Sequence, residues 1–168
     1  MLHDIDIFKS TGFPGKGAVV EEIRLVKVHS TETEALKEYI EALYRLDEDY
    51  DSIVNIEEGV KSLMRNEMLA TAYFIKRGDE RVGYVILTRY HAVERGGLTI
   101  YIDELYVASR KRRSGIGRAI MEQIIEIARA QSAKALWVQF EPYNSAAEAF
   151  FQSQGFKSSS YKNFEFPL

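Results

Sequence analysis

The sequence predicts an α/β fold: one mixed β-sheet of about six to seven strands flanked by four helices, in the order βαα βββ αβ αββ. Three observations lead there. Runs rich in β-branched and aromatic residues are interleaved with segments of helical period, two of those runs are joined by a short polar turn at Gly78-Asp79-Glu80, and a strand ending at Val107 runs into a glycine-opened amphipathic helix. At 168 residues the chain suits one domain with one sizeable core. Residues 1–20 read as an N-terminal extension and residues 21–168 as the domain.

Each element has a local reason. Thr11 to Gly17 is dense in Gly and Pro and punctuates the chain rather than building structure. Glu22 to Val28 carries Ile-Arg-Leu-Val-Lys-Val and favours a first strand. Thr31 and Glu34 have capping-box spacing, and Leu36, Tyr39, Ile40, Leu43 and Tyr44 recur at helical intervals, giving a helix over about 31–46. Asn55 is placed to cap a second helix, whose apolar face is Ile56, Val60, Leu63 and Met64. Ala70 to Arg77 and Arg81 to Tyr90 form a hairpin, and Leu98 to Val107 adds a third strand to the meander. A helix over about 115–131, a strand from Ala135 to Phe140, a helix over 144–154 and two terminal strands complete the chain.

Composition removes several classes of function. Hydrophobic residues are 46% and charged residues 28% of the chain, an ordinary globular balance, and no apolar run approaches the roughly 20 residues that cross a bilayer. The N-terminus has neither a positive flank nor an uninterrupted apolar stretch, so a cytoplasmic protein without membrane association is expected. The absence of cysteine rules out disulfides, thiolate nucleophiles and cysteine-ligated zinc, and His3, His29 and His91 lack metal-ligand spacing, so no metal is expected. A net charge of −3 argues against nucleic-acid binding, for which the basic run Arg110 to Arg113 is the sole candidate patch.

That basic run is the most informative segment. It lies between a strand and a helix, followed by Ser114, Gly115, Ile116, Gly117 and Arg118. The first N–H groups of a helix lack internal partners and sit at the positive end of the helix dipole, which suits phosphate oxygens, and glycine removes the Cβ that would hold them off. Ile116, Ile120, Ile124, Ile127 and Ala128 share a helix face, which fixes the turn against the sheet. Taken alone, four basic residues read as a solvated charge run; the glycines and the strand-to-helix context favour anion binding. Gly117 is followed by Arg118, so the Walker pattern is not met, and Met121 occupies the region where a dinucleotide fingerprint needs its third glycine.

Arg112, Gly115 and Gly117 fill the pattern Arg/Gln-x-x-Gly-x-Gly/Ala, and Asn144, Ala147, Phe150 and Gly155-Phe156 match a second motif downstream. With these motifs at this separation, the chain from about residue 22 to 162 resembles the GNAT superfamily of acyl-CoA-dependent N-acyltransferases. The resemblance implies acetyl-CoA as co-substrate. It implies that backbone amides along Arg113, Ser114, Gly115, Ile116, Gly117 and Arg118 hold the pyrophosphate, and that Leu105, Tyr106 and Val107 run beside the pantetheine arm. Asn144, with Ala147, would help hold the cofactor, although capping the following helix is an equally good account of Asn144. Homodimers are common in the family, and one is expected on that ground only.

Acetyl transfer to an amine needs a neutral nucleophile, a stabilised oxyanion and a tolerable leaving group. An alkylamine is mostly protonated at neutral pH, so a carboxylate that accepts its proton is useful. Asp103 and Glu104 stand before Leu105, and the segment Tyr101 to Val107 looks like that of relatives that acetylate diamines and polyamines. Glu104 is the first candidate base. Strand alternation puts Asp103 and Glu104 on opposite faces, unless the bulge typical of this family's fourth strand changes the parity. A surface ion pair is the structural alternative for either carboxylate. The oxyanion is assigned by resemblance to a main-chain N–H near Tyr106.

Two departures stand out. Many relatives place a tyrosine seven residues after the motif asparagine to protonate the sulfur, and here that position is Phe151, with Tyr143 and Tyr161 as substitutes by proximity only. Gln139 replaces a glutamate that some protein N-terminal acetyltransferases use, which weakens that reading. Glu38, Glu41, Asp47, Glu48, Asp49 and Asp51 form an acidic run that would attract cationic amines or simply be a solvated face. A small basic amine is therefore the expected acceptor, with a catalytically weak acyl-CoA sensor or a peptide N-acetyltransferase as alternatives.

Overall fold

A computed structural model describes residues 21–46, 55–160 and 166. The expected extension, the acidic stretch from Asp47 to Asp51, Tyr161 and part of the expected terminal strands lie outside the described residues. Strands β1 (Ile23–Lys27), β2 (Ala70–Arg77), β3 (Glu80–Ala92), β4 (Gly97–Val107) and β5 (Ala135–Val138) form one sheet in the order β1-β2-β3-β4-β5. The first four pair antiparallel and β5 joins β4 in parallel, so the sheet is mixed. Helices α1 (Thr33–Tyr44), α2 (Ile56–Arg65), α3 (Ile116–Ala130) and α4 (Ser145–Ser153) cover its faces.

The α/β class, the mixed sheet and the four helices agree with the sequence reading; the strand count does not. Among the described residues there are five strands rather than six to seven. The chain after Phe156 runs Lys157-Ser158-Ser159-Ser160, which has no β-branched or aromatic side chain to pack on a pleated surface, and it forms no strand there.

Two cores follow from strand alternation. Ile75, Val85, Leu87, Ile100 and Ile102 face α3, where Ile116, Ile120, Met121 and Ile124 meet them, and Phe151 of α4 closes that layer. Phe74, Tyr84, Ile86 and Tyr106 point to the opposite face and pack with Leu36 and Ile40 of α1 and Val60 of α2. Gln123 fastens α3 to the edge strand: its carbonyl accepts from Leu25 N–H at 2.8 Å and its amide donates to Ile23 O at 2.8 Å. The side chain thus supplies the hydrogen bonds that a further strand would have made.

The helix ends show which local signals operate. Asn55 caps α2, its side chain accepting from Glu58 N–H at 3.1 Å. At α1 the expected Thr31/Glu34 box is displaced, because a 3₁₀ turn over Ser30–Glu32 precedes the helix, and Glu32 instead accepts from His29 N–H at 3.3 Å. Helix α4 ends in a Schellman motif: Gly155 is left-handed at φ 89°, Phe156 N–H bonds Phe151 O at 3.1 Å, and the two rings pack 5.3 Å apart. The Gly155-Phe156 pair is thereby a helix stop.

Candidate active site

The strand-to-helix turn has the features of an anion cradle. The 3₁₀ turn Ser109–Lys111 leads to Arg113 and Gly115, both left-handed at φ 58° and 83°. The first intrahelical bond of α3 runs from Ala119 N–H to Gly115 O at 3.1 Å, so the amides of Ile116, Gly117 and Arg118 precede the ladder, and Gly115 supplies no capping side chain. A Cβ built on Gly115 would meet nothing within 4 Å, so the turn is open at that point. Ser114 braces the turn by donating to Lys111 O at 2.6 Å. Ile116, 1% exposed, anchors the helix in the core.

The basic run divides its labour. Lys111 pairs with Glu80 at 2.7 Å. Arg112 folds back: its Nε donates to Val107 O at 2.7 Å, and its guanidinium lies 5.6 Å over the Tyr106 ring. It acts as a strut between the turn and the end of β4, while Arg110, Arg113 and Arg118 are exposed.

Gly117 has a packing reason beside the one the sequence suggests. A Cβ there would come within 2.9 Å of the Phe150 ring, so the missing side chain makes room for α4. The two motifs are joined sterically, with Phe150 of the second filling the hole left by Gly117 of the first.

Beside the turn, β4 parts from β5. Their pairing runs from Thr99 and Ala135 to Ile102 and Val138 and then stops, while β4 stays bonded to β3 as far as Val107. Ala108 N–H bonds Val82 O, and antiparallel ladders alternate, so Tyr106 directs its N–H to β3 and the amides of Leu105 and Val107 face the gap. The Val107 carbonyl that receives Arg112 lies on that outer edge. The side chains of Leu105 and Val107 pack towards α3, whereas Tyr106 is buried on the opposite face, its ring 6.3 Å from Tyr39 and 6.2 Å from Tyr84.

A bulge sits where the strands diverge. Ile86 faces Glu104 but its neighbour Leu87 faces Ile102, which leaves Asp103 as the extra residue of β4. The bulge breaks alternation, and Asp103 and Glu104 both line one cavity of about 550 Å³ bounded by α1, α2, β3 and β4. Simple alternation would have hidden one of them.

Glu104 is held on both oxygens. Tyr44 of α1 donates to Oε1, and Tyr84 of β3 donates to Oε2 at 2.7 Å. Burial pushes the Glu104 carboxyl above the usual range; the two tyrosine bonds oppose that rise, and the Asp103 charge adds to it. Asp103 keeps an exposed side chain, yet the protein crowding its carboxyl pushes that group up as well. Tyr84 is fully buried, and burial, followed by the Glu104 charge, keeps its hydroxyl protonated well above the ordinary tyrosine range. Two tyrosine hydroxyls thus converge on one carboxyl whose affinity for a proton is raised, an arrangement found at functional sites.

Neither tyrosine was legible as a partner of Glu104, because the contacts span 60 and 20 residues of sequence. Tyr44 was visible only as part of an apolar helical stripe. Gly83 also escaped notice: a Cβ there would lie 2.0 Å from Tyr106 O, so glycine is required for β3 to approach β4 beside the site.

The second motif makes structural contacts. Asn144 caps α4, accepting from Ala147 N–H at 3.0 Å, and Ala147 is half-buried against the α3 core. Phe151 is 6% exposed among Phe140, Phe150 and Phe156, with ring centroids 5.1 to 5.7 Å away. Tyr143 is 74% exposed. Of the acidic run, Glu38 is exposed and Glu41 pairs with Arg45 at 3.0 Å. Gln139 accepts from Tyr101 Oη at 2.8 Å. No group of three or more metal-ligating side chains occurs among the described residues, and no described helix is long and apolar enough to cross a membrane.

The model of the acetyltransferase (GNAT) family matches residues 30–156. Among solved structures, a possible acetyltransferase from Clostridium difficile 630 is 19% identical with a TM-score of 0.74, covering 87% of this chain and 97% of that one. An aminoglycoside acetyltransferase from an uncultured soil metagenomic sample, solved with sisomicin, is 17% identical with a TM-score of 0.70, covering 87% and 96%. A ribosomal-protein-alanine N-acetyltransferase from Brucella melitensis biovar Abortus 2308 is 14% identical with a TM-score of 0.69, covering 88% and 100%. At these identities the likeness is one of fold.

Proposed function

The chain belongs to the acetyltransferase (GNAT) family, and from that premise we propose that it moves an acetyl group from acetyl-CoA to the primary amine of a small basic molecule by direct attack in a ternary complex. The observation that carries this reading is the placement of Asp103 and Glu104 together on one cavity, at the point where β4 leaves β5.

The uncapped amides of Ile116, Gly117 and Arg118 suit the pyrophosphate of acetyl-CoA, with Arg113, Ser114 and Gly115 shaping the turn. The gap beside Leu105, Tyr106 and Val107 suits an extended pantetheine arm. Acetyl-CoA supplies an activated acyl carbon to which the amine nitrogen bonds as the carbon–sulfur bond breaks.

Asp103 attracts the ammonium form of the acceptor, and Glu104 takes the proton that the nitrogen must lose. The raised affinity of Glu104 for a proton lessens the mismatch with an alkylammonium, while the tyrosine bonds favour the ionised carboxylate and fix it in position. An amide on either side of Tyr106, at Leu105 or Val107, can donate to the oxyanion that develops. The CoA thiolate, with a thiol pKa of about 8–9, leaves without a dedicated acid. Asn144 and Ala147 support the site through the cap of α4, which seats Phe150 against Gly117.

CoA release measured across polyamines, aminoglycosides and peptides tests this reading, and no turnover with any amine overturns it. One specific feature favours a second reading: Phe151, where many relatives carry the acid, is enclosed by phenyl rings. A chain that had become an acyl-CoA sensor would bind CoA by calorimetry and stay inactive with every amine.

A further inference from the structure

The wall of the acceptor cavity carries information that the carboxylates do not. Ile56, Val60 and Leu63 recur at i, i+4 and i+7 along α2 and so share one face. That face, with Ile40 of α1 and Ile86 of β3, lines the cavity above Asp103 and Glu104. Asn55, Ser62, Asn66 and Thr88 add neutral polar groups, and among the described lining residues the only acids are Asp103 and Glu104 and there is no cation.

Resting on the acetyl-transfer reading above, we propose that the acceptor is an amphipathic monoamine: one primary ammonium at the Asp103–Glu104 floor and an uncharged aliphatic or arylalkyl body along the apolar face of α2. The charge count supports a single cation. One carboxylate holds the incoming ammonium and the other receives its proton, so a single amine uses both. A second cation on the same acceptor would lie against Ile56, Val60 and Leu63, where no carboxylate among the described lining residues offsets its lost hydration. The cavity, about 550 Å³, exceeds what a bare short amine fills, and its apolar wall is recovered from water only by an apolar body.

The test is kcat/KM at saturating acetyl-CoA for the n-alkylamines from propylamine to hexylamine, against 1,4-diaminobutane and 1,5-diaminopentane. The monoamine series is expected to climb roughly four-fold for each added methylene, the ~0.8 kcal/mol of a buried CH₂. Each diamine is expected to fall about ten-fold or more below the monoamine of equal chain length, for want of a partner for its second charge. A flat monoamine series, or diamines that outperform monoamines, overturns the inference and leaves the acetyl-transfer reading standing. No turnover in either series overturns the inference, and the acetyl-transfer reading falls with it only when polyamines, aminoglycosides and peptides are equally inactive. Leu63→Glu, at a half-buried position on the cavity wall, is expected to shift the ratio towards 1,5-diaminopentane by about ten-fold or more. Should that variant fail to fold, Ser62→Asp places a carboxylate at an exposed lining position and reads the same ratio; an unchanged ratio in a folded variant counts against the placement of the acceptor body on α2.

Discussion

The hydroxyl of Tyr84 donates to Glu104 Oε2 at 2.7 Å from a fully buried position, while Tyr44 donates to the other oxygen from the cavity wall. The candidate base is thus fixed by one residue of the sheet and one of the first helix. The orientation of the carboxylate depends on how α1 packs across β3 and β4.

Replacing Glu104 by Gln is expected to lower kcat by about 10²- to 10⁴-fold, the usual contribution of a positioned base, and to remove the acidic limb of the kcat/KM profile. The sign follows from burial: the base must be ionised, its carboxyl titrates above the ordinary glutamate value, and activity is lost as pH falls through that raised value. A profile whose acidic limb survives the substitution assigns that limb to another group.

Tyr44→Phe removes a bond that favours ionised Glu104 and leaves Tyr84 in place. The acidic limb should move to higher pH while the affinity for CoA stays as it was. Steady-state profiles beside CoA titrations check this, and a drop in turnover without a shift of the limb would mean that Tyr44 only packs.

Gly117→Val should act on stability before it acts on CoA. The added side chain meets the Phe150 ring at 2.9 Å or less, an overpacking that costs about 1–3 kcal/mol, or roughly 2–4 °C in Tm for each kcal/mol. Pairing it with Phe150→Ala should recover part of the loss. Additive effects in that double-mutant cycle would contradict the contact.

Phe151→Tyr asks whether the vacant acid role can be refilled. The ring lies among three phenyl rings, so a hydroxyl placed there lacks an evident partner and should cost about 1–3 kcal/mol without raising kcat. A gain in kcat at unchanged Tm would show that the para carbon faces the leaving sulfur.

Ser132 is left-handed at φ 57° just past the end of α3, where Ala133 N–H bonds Ala128 O at 2.9 Å in a Schellman pattern. Ser132→Gly relieves the strain of that backbone and should stabilise the fold by about 0.5–1 kcal/mol, read as a higher denaturant midpoint at constant slope.

Much of the molecule was written locally. The helical stripes of α1 and α2, the hairpin at Gly78-Asp79-Glu80 and the cap at Asn55 depend on neighbours within a few residues, and so does the turn before α3. Periodicity and capping rules therefore read them directly. The sequence also named Asp103 and Glu104 as carboxylates at the end of a strand. It could not decide whether they share a face, because a bulge is a property of the pairing between β3 and β4 and leaves no mark on β4 alone. Tyr44, Tyr84, Gly83 and the fit of Phe150 to Gly117 were decided in the same way, by contacts between segments distant in sequence. Local chemistry set the elements and the glycine-opened turn before α3, and only the packing of α1, α2 and α4 on the sheet set which side chains hold the candidate base and how the cavity above it is walled.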